Sequence, residues 1–314
     1  MLIKAFTPRN IANNPKIKLS IGIQNVNPKI KDAIAFDLDF LFFVSIIDIV
    51  NIAPIIIFSK NDKFYNNISN TGFMEILDNK IPTGSKILDL MLDGGYEKDV
   101  ITTIYGPAGS GKTVLCLLCS INIARSGKKV IYVDSEGGFS LERFKQITTH
   151  MNQNFTKILN NIVLLRPTRF DEQKKSFEKL KELTNDRVGL IVVDTIAMLY
   201  RLELGKGDNI QKTNRELSQQ ISFLTEIARK KHIPILMTNQ VYADFENKDK
   251  VHIVGGDILK YGSKCLIELQ ITPNGNRRWV LKKHRSIGEE KEILFKIVEG
   301  GIIGTKEGRG FRLF

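Results

Sequence analysis

The sequence predicts an α/β fold in which a mostly parallel sheet, flanked by helices, ends in a mixed or antiparallel C-terminal edge. Three observations support this prediction. From about residue 81 onward, apolar runs typical of strands alternate with amphipathic helical segments. The runs at 129–134 and 188–194 are nearly continuously apolar and end in aspartate, as expected of parallel strands covered on both faces. The turn at 273–276 separates two further strand-like runs and indicates an antiparallel hairpin.

The residues before this region have a different character. Residues 1–73 are dense in Ile, Asn, Lys and Phe and lack the alternation of strands and helices. The stretch 38–58 is apolar, but Asp39, Asp48 and Pro54 argue against a membrane span, since a central aspartate costs about 2.5–3.5 kcal/mol. The composition of residues 1–73 resembles that of an AT-rich coding strand read without selection, so we expect natural translation to begin at Met74, with a small extra domain as the alternative. Residues 1–73 would then be a disordered extension or lie ahead of the true start, and residues 74–314 would form the domain.

The first elements of the domain are a turn and a short helix. The turn covers residues 81–85, and the helix at 86–92 ends before Gly94 and Gly95. A β-branched run at 100–105 follows as the first core strand. The next segment, 106–113, therefore lies directly after a strand.

That segment matches the spacing G-x-x-x-x-G-K-[ST] of a phosphate-binding loop without a mismatch, and a helical run to about residue 126 follows it. The glycines let backbone N–H groups close around phosphate oxygens. Lys112 reaches the outer phosphates, and Thr113 offers a hydroxyl to Mg²⁺. The predicted nucleotide-binding residues of the loop are Gly106, Pro107, Ala108, Gly109, Ser110, Gly111, Lys112 and Thr113.

Acidic residues follow two of the predicted strands. Strand 129–134 runs into Asp134-Ser135-Glu136, at the end of a strand where open α/β sheets bind ligands. A helix is predicted from Ser140, a strand at 161–165, and a polar helix at 171–183. Strand 188–194 ends in Asp194, which we interpret as the Mg²⁺ ligand opposite Thr113, with a helix cap as the alternative.

The last third of the chain contains two predicted loops and a hairpin. Residues 201–211 are predicted to form a flexible polar loop, and 213–231 an amphipathic helix. Strand 233–240 ends in polar amides that can sense a terminal phosphate. Residues 241–256 are predicted to form a second mobile loop, and 266–272 and 277–283 the strands of the hairpin. The basic cluster at 282–285 could contact an anionic partner, or it could be only a solvated strand end.

Composition indicates the kind of partner. A formal net charge of +12 suits an anionic partner, of which nucleic acid is the commonest inside cells. Three cysteines make no disulfide framework, and the N-terminus lacks signal-peptide features, so we expect a cytoplasmic protein. Cys116 and Cys119 share one face of an apolar helix, and no second ligand pair lies at metal-binding spacing. They are predicted to be buried packing residues.

Together these motifs resemble the RecA family of recombinase ATPases and are most similar to its archaeal RadB branch, the short paralogues of the RadA recombinases. The resemblance covers residues 81–314 and implies a RecA-like P-loop NTPase fold. It is carried by the turn and helix at 81–95, the phosphate loop 106–113, the acidic loop 134–138, strand 190–194, the polar strand end 238–240, the glycines 255–256 and the basic run 282–286.

The resemblance also implies roles for individual residues. Glu136 orients the attacking water, Gln240 couples the terminal phosphate to a DNA-binding loop, and Arg143 lies near the adenine. The predicted catalytic set consists of Glu136, Lys112 and Gln240. The predicted Mg²⁺ ligands are Thr113 and Asp194. The two predicted loops line a DNA channel, and the candidate DNA-binding residues are Lys206, Lys248, Lys250, Lys282, Lys283 and Arg285.

Departures from the longer recombinases refine the expected function. Residues 1–73 show neither a helix-hairpin-helix domain nor an F-x-x-A docking motif. This favours an accessory protein of homologous recombination and DNA repair that hydrolyses ATP weakly. Its expected partners are single-stranded or branched DNA, a RadA-type recombinase and further copies of itself, with no membrane. Two alternatives remain: a nucleotide-gated mediator without hydrolysis, and a RecA-fold motor or clock-type ATPase without a DNA role.

Overall fold

A computed structural model of the chain describes residues 79–207, 210–243, 251–288 and 290–305. The predicted start at Met74, the extension 1–73 and the apolar stretch 38–58 lie outside these ranges, so predictions about them stay predictions. None of the helices in the described ranges is long and apolar enough to cross a bilayer.

Within the described ranges, the strands build one large sheet and two short pairs. In chain order the strands are β1 (Lys80–Ile81), β2 (Tyr96–Glu97), β3 (Ile101–Tyr105), β4 (Lys129–Asp134), β5 (Ile162–Leu165), β6 (Val188–Asp194), β7 (Ile235–Asn239), β8 (Val241–Ala243), β9 (Val251–Ile253), β10 (Cys265–Ile271), β11 (Arg277–Lys283), β12 (Glu292–Val298) and β13 (Gly301–Gly304). The large sheet has nine strands in the order β13-β12-β11-β10-β3-β7-β6-β4-β5.

Helices cover both faces of this sheet. They are α1 (Lys86–Met91), α2 (Lys112–Arg125), α3 (Leu141–His150), α4 (Phe155–Leu159), α5 (Phe170–Leu183), α6 (Met198–Leu204), α7 (Ile210–Lys231) and α8 (Gly256–Gly262). One apolar core lies between the sheet and α1–α4, and the other lies between the sheet and α5–α8. The central strands are therefore buried on both faces, which explains their nearly continuous apolar sequences.

Strand pairing explains where polar groups gather. Strands β10, β3, β7, β6, β4 and β5 pair in parallel, whereas β10 to β13 pair antiparallel. Asp134 at the end of β4 lies opposite Asp194 at the end of β6, and Asn239 of β7 lies opposite Tyr105 of β3. Carboxyl ends of parallel strands share one edge, so residues distant in sequence meet there.

The predicted fold class is confirmed, including its antiparallel C-terminal edge. Strands 129–134 and 188–194 coincide with β4 and β6. Cys116 and Cys119 are buried, as predicted, and both are free thiols.

Two predicted loops were wrong in part. The loop predicted at 201–211 is helical at both ends, because α6 extends to Leu204 and α7 begins at Ile210. Leu199 and Tyr200 of α6 are buried in the second core and Leu204 packs against it, which stabilises a helix that continues into the polar segment. The loop predicted at 241–256 contains the paired strands β8 and β9, and α8 begins at Gly256. Residues 244–250, with Lys248 and Lys250, lie outside the described ranges.

Candidate nucleotide site

The phosphate loop 106–113 joins the end of β3 to the start of α2. Gly111 is the N-cap of α2 with φ of 101°, a left-handed conformation that favours glycine. The first turn of the helix therefore begins inside the loop, and its unpaired backbone N–H groups face the same region as the loop glycines. Such an arrangement binds anions.

Lys112 is folded back onto its own loop. Its Nζ donates to the carbonyl oxygens of Gly106 at 2.8 Å and Pro107 at 2.9 Å. Burial lowers the pKa of Lys112, while the carboxylates of Glu136 and Asp194 act in the opposite direction. The predicted phosphate-binding cation thus lies mostly buried at the loop.

Asp194 accepts hydrogen bonds from three hydroxyl groups on three different elements. Thr113 of α2 and Tyr132 of β4 each donate to Oδ2 at 2.8 Å, and Thr238 of β7 donates to Oδ1. The Asp194 carboxylate is buried, with 1% of the residue exposed. Its orientation is therefore determined by the surrounding hydroxyls, and it directly contacts the threonine of the phosphate loop.

Asp134 holds the acidic loop in place. Its carboxylate accepts the backbone N–H groups of Gly138 at 2.9 Å and Phe139 at 3.2 Å, and Arg166 lies 3.7 Å away. A Cβ on Gly138 would lie 3.3 Å from Oγ1 of Thr113 and 3.6 Å from Asp194 Oδ2. The loop that carries Glu136 therefore closes directly against the Thr113–Asp194 pair.

Glu136 and Gln240 are in contact. The side-chain amide of Gln240, directly after β7, donates to Oε1 of Glu136. Partial burial raises the pKa of Glu136, as does the nearby Asp194 carboxylate, while Lys112 and the hydrogen bond from Gln240 oppose the rise. A carboxylate with a raised pKa beside a phosphate loop is suited to accept a proton from water or to orient it.

This pair borders a cleft of about 610 Å³. The opposite wall is formed by α6 and the turn after it, including Arg201 and Lys206. Lys206 also pairs with Glu203 at 2.7 Å. The cleft therefore connects the catalytic candidates to the first loop predicted to contact DNA.

The oxygen ligands fit magnesium. Thr113 and Asp194 offer a hydroxyl and a carboxylate, the hard oxygen ligands that Mg²⁺ prefers, and Mg²⁺ in nucleotide sites takes its other ligands from phosphates and water. The described ranges hold no cluster of three or more His, Cys, Asp or Glu suited to a metal ion. The site thus resembles one for Mg²⁺ delivered with a nucleotide.

Arg143 lies in the first turn of α3 and contacts the end of β12. It follows Ser140, which caps α3, and its guanidinium donates to the carbonyl oxygens of Val298 and Glu299. The neighbouring Ile297 is next to Gly111: a Cβ on Gly111 would lie 2.9 Å from Ile297 Cδ1. Arg143 is thus attached to the strand that covers the phosphate loop, and its contact with adenine stays a prediction.

The C-terminal basic residues have partners within the fold. Lys282 pairs with Glu290 at 2.5 Å, and Arg285 pairs with buried Glu97 at 2.7 Å. Lys283 donates to the carbonyl oxygens of Lys260 and Ser263, each at 2.9 Å. These contacts favour the strand-end interpretation of the cluster, and a DNA contact by these residues stays a prediction.

Sequence reasoning gave Tyr132 no role, named Thr238 only as part of the polar strand end 238–240, and noted Asp134 only as part of an acidic run. A signal existed for Tyr132, because strand periodicity places it on the same face as Asp134. For Thr238 only the neighbouring position of β6 and β7 reveals the contact with Asp194.

Comparison with known proteins identifies similar chains. The Rad51 family profile matches residues 75–305. The DNA repair and recombination protein RadB of Methanobrevibacter smithii is 45% identical over 232 residues, which cover 72% of this chain and 96% of that protein. RadB of Methanococcoides burtonii is 39% identical over 229 residues, covering 73% and 100%. A solved structure described as the RadB recombinase is 36% identical with a TM-score of 0.62, covering 71% of this chain and 99% of that chain.

Proposed function

Since this chain belongs to the Rad51 family, we propose that it is an ATP- and DNA-binding accessory protein of homologous recombination and DNA repair that hydrolyses ATP weakly. The RadB relatives are named DNA repair and recombination proteins, which supports the process. The nucleotide chemistry is supported by the side chains themselves.

One observation carries the nucleotide assignment: the hydroxyl of Thr113 and the carboxylate of Asp194 are 2.8 Å apart beside a complete phosphate loop. Lys112 and the loop N–H groups would bind the phosphates, and Thr113 and Asp194 would hold Mg²⁺. Bound Mg²⁺ would offset the negative charge that develops on the phosphate oxygens.

Hydrolysis requires a positioned water in addition to bound nucleotide. Glu136 would accept a hydrogen bond from that water and orient it toward the terminal phosphate. Gln240 holds Glu136 through its amide and directly precedes β8, so it links the carboxylate to the segment that includes 244–250.

DNA binding is supported by charge and by the cleft. The chain has a net charge of +12, and Arg201 and Lys206 line the cleft beside Glu136 and Gln240. Single-stranded or branched DNA would contact this side through its phosphates, so binding should weaken steeply with salt. A RadA-type recombinase and further copies of this chain are the proposed protein partners.

The test is ATP hydrolysis by the full chain with and without single-stranded DNA, beside Glu136→Gln. We expect slow hydrolysis that DNA accelerates, and loss of hydrolysis with retained ATP binding in the variant. Single-turnover hydrolysis unchanged by Glu136→Gln would favour a nucleotide-gated mediator without catalysis. DNA binding at background level in low salt would favour a motor or clock-type ATPase.

A further inference from the structure

The C-terminal strands β10, β11 and β12 all lie against the phosphate loop. A Cβ on Gly106 would be 2.2 Å from the carbonyl oxygen of Leu269 in β10, and Ile297 of β12 lies beside Gly111. Between them, Arg277 at the start of β11 donates from Nη2 to the carbonyl oxygen of Gly109 at 3.1 Å. The antiparallel strands therefore place the Arg277 guanidinium beside Gly109, at the apex of the phosphate loop.

Arg277 has donor capacity beyond these contacts. Its Nη1 donates to the carbonyl oxygen of Gly275, and its buried Nε makes no hydrogen bond to any of the described residues. Guanidinium carries five N–H donors in a planar fork that matches phosphate oxygens. Both known partners of Arg277 are neutral carbonyls, so its charge is not balanced by them.

The arrangement parallels that of Lys112. Each of the two cations donates to carbonyl oxygens of the phosphate loop, Lys112 to Gly106 and Pro107, and Arg277 to Gly109. Gly109 is exposed, and apart from its chain neighbours no atom of the described residues would lie within 4 Å of a Cβ placed there, so the loop apex beside Arg277 is accessible. The loop that would hold an anion is therefore contacted by two cations, Lys112 from its own helix and Arg277 from the hairpin.

We propose that Arg277 is a phosphate-binding residue that contacts the terminal phosphates of a nucleoside triphosphate from the C-terminal hairpin of the same chain. The proposal rests on the proposed binding of ATP. It assigns the hairpin a role in recognising the number of phosphates, because AMP lacks the groups that Arg277 would meet.

The test compares the affinities of ATP, ADP and AMP, each with Mg²⁺, for the full wild-type chain, Arg277→Gln and Arg277→Lys. Loss of a charge-assisted contact in Arg277→Gln should weaken the binding of ATP by about tenfold to a hundredfold and leave the binding of AMP unchanged. Arg277→Lys should restore part of the ATP affinity. Arg278→Gln is the matched control. Arg278 adjoins Arg277 on β11, points to the opposite face, and lies 4.0 Å from Glu292.

Two results would overturn the proposal. Wild-type ATP affinity in folded Arg277→Gln would show that no phosphate contact is made. Equal losses for ATP, ADP and AMP, with a lower melting temperature, would show a purely structural role. If the wild-type chain itself failed to bind ATP, that result would contradict the proposed function as well as the role of Arg277.

Discussion

Thr113 donates a 2.8 Å hydrogen bond to Oδ2 of Asp194, joining residues 81 positions apart in the chain. The contact brings the first turn of α2 and the last residue of β6 to one sheet edge. A hydroxyl and a carboxylate oxygen are thereby adjacent at the end of the phosphate loop. This pairing is the basis of the first two predictions.

Asp194→Asn should lower Mg²⁺-dependent ATP hydrolysis by about 10²–10³-fold, because an amide replaces the anionic oxygen that would balance the metal charge. Phosphate release measured across a Mg²⁺ titration tests this. Asp171→Asn, at an exposed position of α5, is the control and should behave as wild type. An unchanged Mg²⁺ dependence in Asp194→Asn would show that Asp194 is not a metal ligand.

Tyr132→Phe should weaken Mg²⁺-dependent ATP binding by about tenfold or somewhat more, because the hydroxyl that orients Asp194 is lost. The ring contact with Phe139 remains, so the free energy of unfolding should fall by only about 1–2 kcal/mol. ATP titrations with Mg²⁺ and with chelator separate the two effects.

Tyr200→Phe removes a hydroxyl that donates to Asn214, away from the phosphate loop, and should leave ATP affinity unchanged. Equal behaviour of the two tyrosine variants in the titrations would count against an orienting role for Tyr132.

The pH dependence of hydrolysis should report Glu136. The carboxylate must be ionised to accept a proton or orient water, and partial burial raises its pKa above the ordinary 4.5 of glutamate. As pH falls, Glu136 therefore protonates earlier than an ordinary glutamate, and hydrolysis should decline at a pH above 4.5. Rates measured across pH at saturating ATP give this value.

Glu142→Gln, on the exposed side of α3, should keep the same pH profile, whereas Glu136→Gln should lose about 10²–10⁴-fold of the rate at every pH. An acidic decline that persists unchanged in the residual activity of Glu136→Gln would assign the titration to another group.

Glu97 should stabilise the segment directly after β11. It is 4% exposed, pairs with Arg285 at 2.7 Å and accepts a hydrogen bond from Ser286 at 2.9 Å. Glu97→Gln should lower the free energy of unfolding by about 1–3 kcal/mol, because the buried carboxylate of Glu97 is the charged acceptor for Arg285 and Ser286. Chemical denaturation measures this change.

Combining Glu97→Gln with Arg285→Gln should cost less than the sum of the two single changes, because both remove the same pair. Glu292→Gln, an exposed carboxylate on β12, should stay within about 0.5 kcal/mol of wild type. Additive losses would show that the Glu97–Arg285 contact contributes nothing.

Much of the site follows from local sequence. The phosphate loop is recognisable because consecutive glycines, lysine and threonine must lie at set spacings to surround phosphates, and the flanking strand and helix are local patterns. Asp194 and Glu136 were found because acids that end apolar strands must lie at the carboxyl edge of a parallel sheet. The loop predicted at 201–211 was wrong in part because α6, with Leu199 and Tyr200 buried and Leu204 packed against the second core, continues into that segment as far as Leu204.

The sequence by itself thus determined the fold class and the central residues of the site. Tertiary structure determined which distant groups meet them: the Tyr132 and Thr238 hydroxyls on Asp194, Arg277 at the apex of the phosphate loop, and Glu97 beneath the basic run. The physical reason is that strand order is set by packing and pairing between segments far apart in the chain. No local pattern states that β7 lies between β3 and β6, or that β11 and β12 lie beside the phosphate loop.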